Sequence, residues 1–294
     1  MPRPSPQTER VAAIFDLLVQ TNRVGYTLSD ISKRLGVNRA SCLHTLAALA
    51  STGYLIRDPA DKRYYLGPAM AVAGRVAEEQ FPALIEARPV MARLTAELGL
   101  SIIAFAPAGI YTRVVHYTWG ESQRPPVRIG QLLYLRPPLG SLPAAFSGDA
   151  GIATWLAQRD TITGTEAAAY REKLAAIRRN RWMAERPLPR QLFGAMQLVY
   201  ADPKAVNEPI EPDRYMDDSM RSHDLVITDV FDDESYDIAS VNAGIFDHRG
   251  VVVLVLSLRV ESLIDGANLK RLGDLLRSNA DSVSEAIKGK VPDN

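Results

Sequence analysis

The sequence predicts an α+β protein in which a small, mostly helical head precedes a larger domain of mixed strands and helices. Three short helical patterns within the first 67 residues lead into two β-rich runs. Short strand patterns then occur at 101–118 and 225–260, and helical segments lie between and around them. The length of 294 residues is generous for one domain and sufficient for two with separate cores.

The first helix of the head is predicted by an amphipathic stripe. Its apolar residues recur at i, i+3, i+4, i+7 and i+8, namely Val11, Ile14, Phe15, Leu18 and Val19. After the break at Gly25, Thr27 is placed to cap a second helix. The inner face of that helix consists of Leu28, Ile31 and Leu35.

A tight turn and a third helix follow. Gly36 provides the positive-φ residue that ends the second helix, and Asn38 can cap the next one. The third helix, about 39–52, ends before Gly53. Its predicted buried residues are Cys42, Leu46 and Leu49.

Two β-rich runs, "YLIRD" and "KRYYLG", flank a Pro/Asp turn that ends in basic residues, which predicts a hairpin. Helix, helix, tight turn, helix and hairpin is the order of a winged helix-turn-helix. Such a domain binds DNA, or alternatively serves in contacts between proteins. We therefore expect a winged helix-turn-helix domain over 1–67.

Pro68 begins a predicted linker helix over 68–82, and an α+β domain with a mainly antiparallel sheet follows over 83–290. Its first helix shows Met91, Leu94 and Leu98 on one face. The remaining elements are helices at about 143–159, 165–180 and 266–288, and strands at 101–107, 110–118, 194–201, 225–231, 237–247 and 251–260.

Composition restricts the class of protein. Residues 1–67 hold 9 Lys+Arg against 5 Asp+Glu, a charge of +4, and since the whole chain is neutral the remainder carries −4. A basic head on an acidic body suits polyanion binding. No apolar run is long enough for a membrane span, and Cys42 is the single cysteine. We therefore expect a cytoplasmic protein without a membrane partner.

Patterns of catalytic or metal-binding residues are missing from the sequence. The four histidines are scattered, and the acidic stretch 213–237 matches no metal-ligand spacing. "GESQ", "FSGDAG" and "PAGIY" lack the context of a nucleophile elbow or a phosphate loop. We expect no enzyme activity, no metal and no cofactor, although an enzyme with a regulatory head stays an alternative.

Several of these segments together resemble the IclR family of bacterial transcriptional regulators. They are "RLGVNRASCLHTL", Gly53-Tyr54, "YYLGPAM", "ARPVMARLTAELGLSIIAFAPAGIY" and "SVNAGIFD". The resemblance implies a GAF-like effector-binding domain after the winged head. The chain departs from the family pattern at Asn38 (usually Pro), at His44 (usually Arg), at Ser141 (near a usual Lys) and at 224–225, which reads Asp-Leu where Gly-Tyr is usual.

The expected DNA contacts come from the third helix and the hairpin, because an α-helix fits the major groove and a basic wing reaches neighbouring phosphates. Arg39 can contact guanine or a phosphate. The other expected contacts are Thr27, Ala40, Ser41, His44, Lys62 and Arg63.

For the effector, the resemblance implies a pocket lined by residues near the C-terminus and by a loop near 140. The implied positions are Gly140, Ser141, Asp232, Ile238, Ser240, Ser257 and Arg259. An arginine on a strand of Val and Leu suits a carboxylate ligand. The alternative for Arg259, and the favoured one for Arg113, is a structural surface arginine.

These expectations combine into a ligand-responsive regulator. It would bind a palindromic double-stranded DNA operator as a dimer or a dimer of dimers, sense a small molecule, with a carboxylate as the candidate class, and control a catabolic operon. The alternative is a small-molecule sensor or enzyme whose winged head contacts another protein.

Overall fold

The head consists of three helices and a two-stranded hairpin. A computed structural model of the chain describes residues 5–20, 24–121, 127–159, 162–187 and 225–292. The elements of the head are α1 (Pro6–Gln20), α2 (Leu28–Arg34), α3 (Arg39–Ser51), β1 (Leu55–Arg57) and β2 (Tyr64–Leu66). The predicted winged helix-turn-helix is confirmed element by element.

Capping side chains fix where α2 and α3 begin. Thr27 and Asp30 form a reciprocal capping box at the start of α2. The Asn38 Oδ1 atom accepts hydrogen bonds from the backbone N–H groups of Ala40 and Ser41 at 2.8 and 3.5 Å. Gly36 has φ 62°, as predicted for the residue that turns the chain between the two helices.

A small apolar core holds the head together. Its fully buried members come from all three helices and both strands: Ile14, Leu17, Leu18, Tyr26, Ile31, Cys42, Leu46, Leu55 and Tyr64. The predicted stripe of α1 is shifted slightly, because Leu17 is buried whereas Val19 is 37% exposed.

Two further helices connect the head to the larger domain. They are α4 (Pro68–Glu79), at the position of the predicted linker helix, and α5 (Pro82–Leu98). Every residue from 71 to 80 is exposed. By contrast, α5 buries Met91 and Leu94 in the core of the larger domain and ends at Gly99 with φ 68°.

The larger domain is built on a seven-stranded antiparallel sheet with the order β5-β4-β3-β9-β8-β6-β7. Its strands are β3 (Ile102–Ala108), β4 (Tyr111–Thr118), β5 (Leu132–Tyr134), β6 (Trp182–Glu185), β7 (Val226–Ile227), β8 (Ser235–Phe246) and β9 (Val252–Asp265). The predicted strand at 194–201 lies outside the described residues, as does the acidic segment 213–224.

Helices pack on both faces of this sheet. One face is covered by α5 and α9 (Gly266–Ala286), and the other by α6 (Ser141–Ala145), α7 (Gly148–Leu156) and α8 (Gly164–Asn180). The single helix predicted for 143–159 is therefore wrong. It is two helices, because the chain turns at Gly148, whose φ of 69° cannot continue a right-handed helix. No helix among the described ranges is long and apolar enough to cross a bilayer.

Candidate DNA-binding surface and ligand site

The N-terminal turn of α3 presents most of its predicted DNA contacts to solvent. Arg39, Ala40 and His44 are exposed, while Ser41 is half-buried. The Ser41 hydroxyl accepts a hydrogen bond of 2.7 Å from Nη1 of Arg10 on α1. Arg10 thus brings a second cation to the start of α3. The helical stripe of α1 gives no signal for this role, because the contact joins residues that are 31 positions apart.

Thr27 is committed to helix capping. Its hydroxyl donates to Asp30 Oδ2 at 2.7 Å, and the Asp30 N–H donates back to Thr27 Oγ1 at 3.2 Å. The hydrogen bond from the Thr27 side chain lowers the pKa of Asp30 below its ordinary value of 3.8. A phosphate contact at this position would therefore come from the helix terminus more than from the hydroxyl.

Replacement of Thr27 by Ala is expected to lower the free energy of unfolding of the head by about 1 kcal/mol. Because the pKa of Asp30 is lowered in the folded state, this stabilisation is present above pH 3.8 and is lost as the pH falls further. Urea denaturation at neutral and acidic pH checks both statements. Ser29→Ala, at an exposed neighbouring position, is the control, and an equal loss in both variants would contradict a capping role.

The hairpin separates the two predicted wing cations. Lys62 is exposed in the turn, with φ 61°, and its ammonium donates to the Pro59 carbonyl. Arg63 turns back onto the head, where its Nη1 donates to the Gly25 carbonyl at 2.9 Å and its Nε lies 3.7 Å from an Asp61 carboxylate oxygen. Lys62 is therefore the better placed of the two for contact with a duplex.

A polar patch lies across three neighbouring strands of the larger domain. In the strand register, Ser240 on β8 is opposite both Glu185 on β6 and Arg259 on β9. The Ser240 hydroxyl donates to Glu185 Oε2 at 3.0 Å and accepts from Asn242 Nδ2 at 3.1 Å. Asn242 is in turn opposite Ser257. These five residues define the polar patch.

The polar patch faces the same side of the sheet as α6, α7 and α8. Met183 and Val255 belong to the core under these helices, and Glu185 and Ser257 follow them at a spacing of two along their strands. Side chains two apart on a strand share a face. Ser240, Asn242 and Ser257 are at most 5% exposed, whereas Glu185 and Arg259 are partly exposed, so the patch is buried at its uncharged residues and reaches solvent at its charged ones.

Two acidic side chains accompany Arg259. Its Nη2 and Nε atoms lie 2.9 and 3.2 Å from Glu261 Oε1, and the Arg259 side chain is 20% exposed. Burial raises the pKa of the Glu185 carboxyl, while the Ser240 hydrogen bond and the charge of Arg259 act against this rise. An arginine flanked by carboxylates gives the site less net positive charge than a lone arginine would.

The predicted loop near 140 approaches the same face. Ser141 is 1% exposed and donates to the Pro138 carbonyl at 2.6 Å, and Gly140 before it has φ 82°. The next residue, Leu142, packs on Gly244 of β8, since a Cβ at Gly244 would lie 3.1 Å from Leu142 Cδ2. The loop thus reaches β8 two residues beyond Asn242.

Two predicted effector residues lie elsewhere. Ile238 is fully buried in the core beneath α5 and α9, on the opposite face of the sheet from Ser240. Asp232 is on the surface, where its carboxylate lies 2.8 Å from the Lys270 ammonium. Sequence reasoning did not single out Glu185 and Asn242, although the alternation in "SVNAGIF" places Asn242 beside Ser240.

The head and the larger domain also meet away from α4. Arg113 Nη1 on β4 lies 2.8 Å from Asp16 Oδ1 on α1, and it donates to the Gly130 carbonyl at 2.9 Å. Gly130 packs on Val19 of α1, since a Cβ there would lie 2.5 Å from Val19 Cγ1. The structural interpretation of Arg113 is therefore the one that its contacts favour.

Comparison with known proteins agrees with both parts of the chain. Residues 7–59 match the model of the IclR helix-turn-helix domain. An IclR transcriptional regulator from Alicyclobacillus acidocaldarius has a similar fold, at 19% identity and a TM-score of 0.64, over 98% of this chain and all of that one. The head therefore belongs to the IclR helix-turn-helix domain family. The winged head and the antiparallel sheet with helices on both faces are those of IclR structures.

Other solved IclR-type proteins share this fold. Thermotoga maritima IclR aligns at 16% identity and a TM-score of 0.56, covering 96% of this chain and 99% of that one. An IclR homologue from Microbacterium hydrocarbonoxydans, complexed with 4-hydroxybenzoate, aligns at 15% identity and a TM-score of 0.62, with 95% and 99% covered. At these identities the likeness shows a shared fold. Among curated protein sequences, none matches this chain.

Proposed function

We propose that this IclR-type transcriptional regulator is a cytoplasmic protein that binds a palindromic operator and responds to a small molecule. The main support is the start of α3, where Arg39, Ala40 and His44 are all exposed, together with the exposed wing residue Lys62. Such a helix turn can enter the major groove while the wing cation meets a phosphate. We propose 1–67 as the DNA-binding domain, 68–82 as the linker helix and 83–290 as the GAF-like effector domain.

Two heads are needed for useful affinity, because one head reads only a few base pairs. The helix α4 supports self-association, since Val72 and Val76, four residues apart and therefore on one face, are 66% and 45% exposed. We propose that α4 pairs with α4 of a second copy in a dimer or a dimer of dimers. This pairing would match the two-fold symmetry of the operator.

The proposed effector site is the polar patch together with the loop at Gly140 and Ser141. Its buried polar groups and the 4-hydroxybenzoate complex of the M. hydrocarbonoxydans homologue support small-molecule binding. The Arg259 guanidinium, which already contacts the Glu261 carboxylate, also fits a ligand with a carboxylate. Ligand binding would change the spacing of the two heads and so the affinity for the operator. We further propose a non-enzymatic role in control of a catabolic operon.

Arg39 and Lys62 are expected to contribute differently to DNA binding. Arg39→Ala should weaken binding to the operator about 10-fold to 100-fold, with a smaller effect on random DNA, because a base contact is lost. Lys62→Ala should weaken binding to both DNAs alike and reduce the salt dependence by about one phosphate contact. Electrophoretic titration at two salt concentrations, with upstream intergenic DNA and a random duplex, measures these effects.

Arg171→Ala is the matched control, because Arg171 is an exposed arginine on α8 of the larger domain. Its affinity for both DNAs should stay within about twofold of the unmodified protein. Equal losses for Arg39→Ala on operator and random DNA would contradict base readout. Failure of the unmodified protein to bind duplex DNA at low ionic strength would instead favour a head that contacts another protein.

A further inference from the structure

The charge balance of the polar patch differs from that of a simple anion site. Arg259 is the one cation among its five residues, and two of its nitrogen atoms already contact Glu261. Glu185 is a second carboxylate on the other side of Ser240. A ligand with only a carboxylate would compete with Glu261 for Arg259 and would also meet the negative field of Glu185.

The patch contains a second buried hydroxyl group besides that of Ser240. It is the hydroxyl of Ser257, a residue that is 2% exposed. Its position opposite Asn242, on the face that carries Glu185, directs it into the same interior region. A serine hydroxyl can donate and accept hydrogen bonds, so Ser257 adds a polar group with which a bound ligand can interact.

Glu185 is arranged as an acceptor. The Asn242 amide donates to the Ser240 hydroxyl, which donates to Glu185 Oε2, so a chain of donors ends at the carboxylate. Two neighbouring side chains thereby fix its orientation before any ligand arrives. A carboxylate held in this way binds a donor, and it repels a second acceptor.

We propose that the effector carries a hydrogen-bond donor, either an ammonium or a hydroxyl group, and that this donor binds Glu185. Glu185 is then the residue that selects ligands, and Arg259 takes a secondary role. The inference rests on the proposed effector site. Because Glu185 and Arg259 flank Ser240, their backbones are about 10 Å apart. Because both side chains are long, a small molecule with a donor at one end and a carboxylate at the other can contact both of them.

The test uses the full-length protein and two sets of matched compounds. The first set is benzoate, 4-hydroxybenzoate and 4-(aminomethyl)benzoate, and the second is succinate, malate and aspartate. Within each set the carboxylate skeleton is retained, and the donor is absent, a hydroxyl or an ammonium, which in the first set is carried on an added methylene. Thermal-shift titration, followed by calorimetry for each compound that binds, measures affinity without DNA. The two donor-bearing arms distinguish a hydroxylated ligand from an amine.

We expect at least one donor-bearing compound to stabilise the protein. Its donor-free counterpart should bind at least about tenfold more weakly. Glu185→Gln should weaken the donor-bearing compound by about 10-fold to 100-fold and remove this preference, because a hydrogen bond to a charged group is lost. The matched control is Glu172→Gln, an exposed carboxylate on α8, which should leave affinity unchanged. Ser257→Ala tests the part of the patch that lies on β9, and we expect a smaller loss of affinity than for Glu185→Gln.

Three outcomes would overturn the inference. In the first, donor-free carboxylates bind best, and Arg259→Gln weakens their binding whereas Glu185→Gln does not. This result would refute the inference but not the proposed effector site. In the second, affinity is unchanged in both Glu185→Gln and Ser257→Ala, which would show that the ligand binds outside the polar patch. If neither set binds at all, the inference and the effector half of the proposed function fail together, and operator binding stays a separate measurement.

Discussion

Replacement of Leu46 by Ala in α3 is expected to unfold the head under conditions in which the larger domain stays folded. Leu46 is 0% exposed and lies in the head core, which is made of nine fully buried residues. Removing a buried leucine side chain costs about 2–5 kcal/mol, because apolar burial is lost and a cavity is left behind. A core this small has little stability to lose, so DNA binding should disappear.

Leu43→Ala provides the control, since Leu43 lies on the same helix three residues earlier and is 44% exposed. Its expected cost is below about 1 kcal/mol, with DNA binding retained. Thermal denaturation of both variants, followed by DNA titration, makes the comparison. Equal destabilisation by the two substitutions would mean that the core of the head is not organised around α3 as described.

Replacement of Gly273 by Val is expected to destabilise the larger domain by about 2–3 kcal/mol. Gly273 lies in α9 against Trp182 of β6, and an added Cβ would lie 2.3 Å from the indole ring. The ring is 5% exposed and packed in the core, so it cannot move aside. Valine is the better helix former by a few tenths of a kcal/mol, which is too little to offset the overlap.

Gly74→Val is the matched substitution, because Gly74 lies inside α4 and an added Cβ there would have nothing within 4 Å. Here only helix propensity acts, so stability should be unchanged or slightly higher. Urea denaturation of both variants measures the difference between them. A similar loss in each would show that backbone effects, and not contact with Trp182, decide the result at Gly273.

The head could be predicted from sequence almost completely, because its signals are local. Thr27 and Asn38 are strong capping residues, Gly36 allows the turn, and apolar spacing marks the buried faces. Each of these depends on neighbours within a few positions. The split between α6 and α7 has no such local signal, because the helical pattern over 143–159 continues through Gly148 and does not reveal its positive φ.

The candidate ligand site was only partly predictable, because it depends on strand register and on a β-bulge. Ile238 and Ser240 are two residues apart and would share a face of a regular strand. The pairing of β8 with β9 shifts between them, and this bulge turns Ile238 into one core and Ser240 toward the other. Glu185 joins the site through β6, which is 55 residues away along the chain.

The contact of Asp16 with Arg113 bears on how such regulators can be recombined. A chimera that joined this winged domain to a foreign sensor would keep the covalent connection through α4. It would lose the ion pair and the packing of Val19 against Gly130. The head would then be connected to the sensor through α4 alone, and its orientation would be less restricted. Engineers who exchange sensing modules should therefore carry over both sides of this junction, with an arginine facing residue 16 and a glycine beneath residue 19.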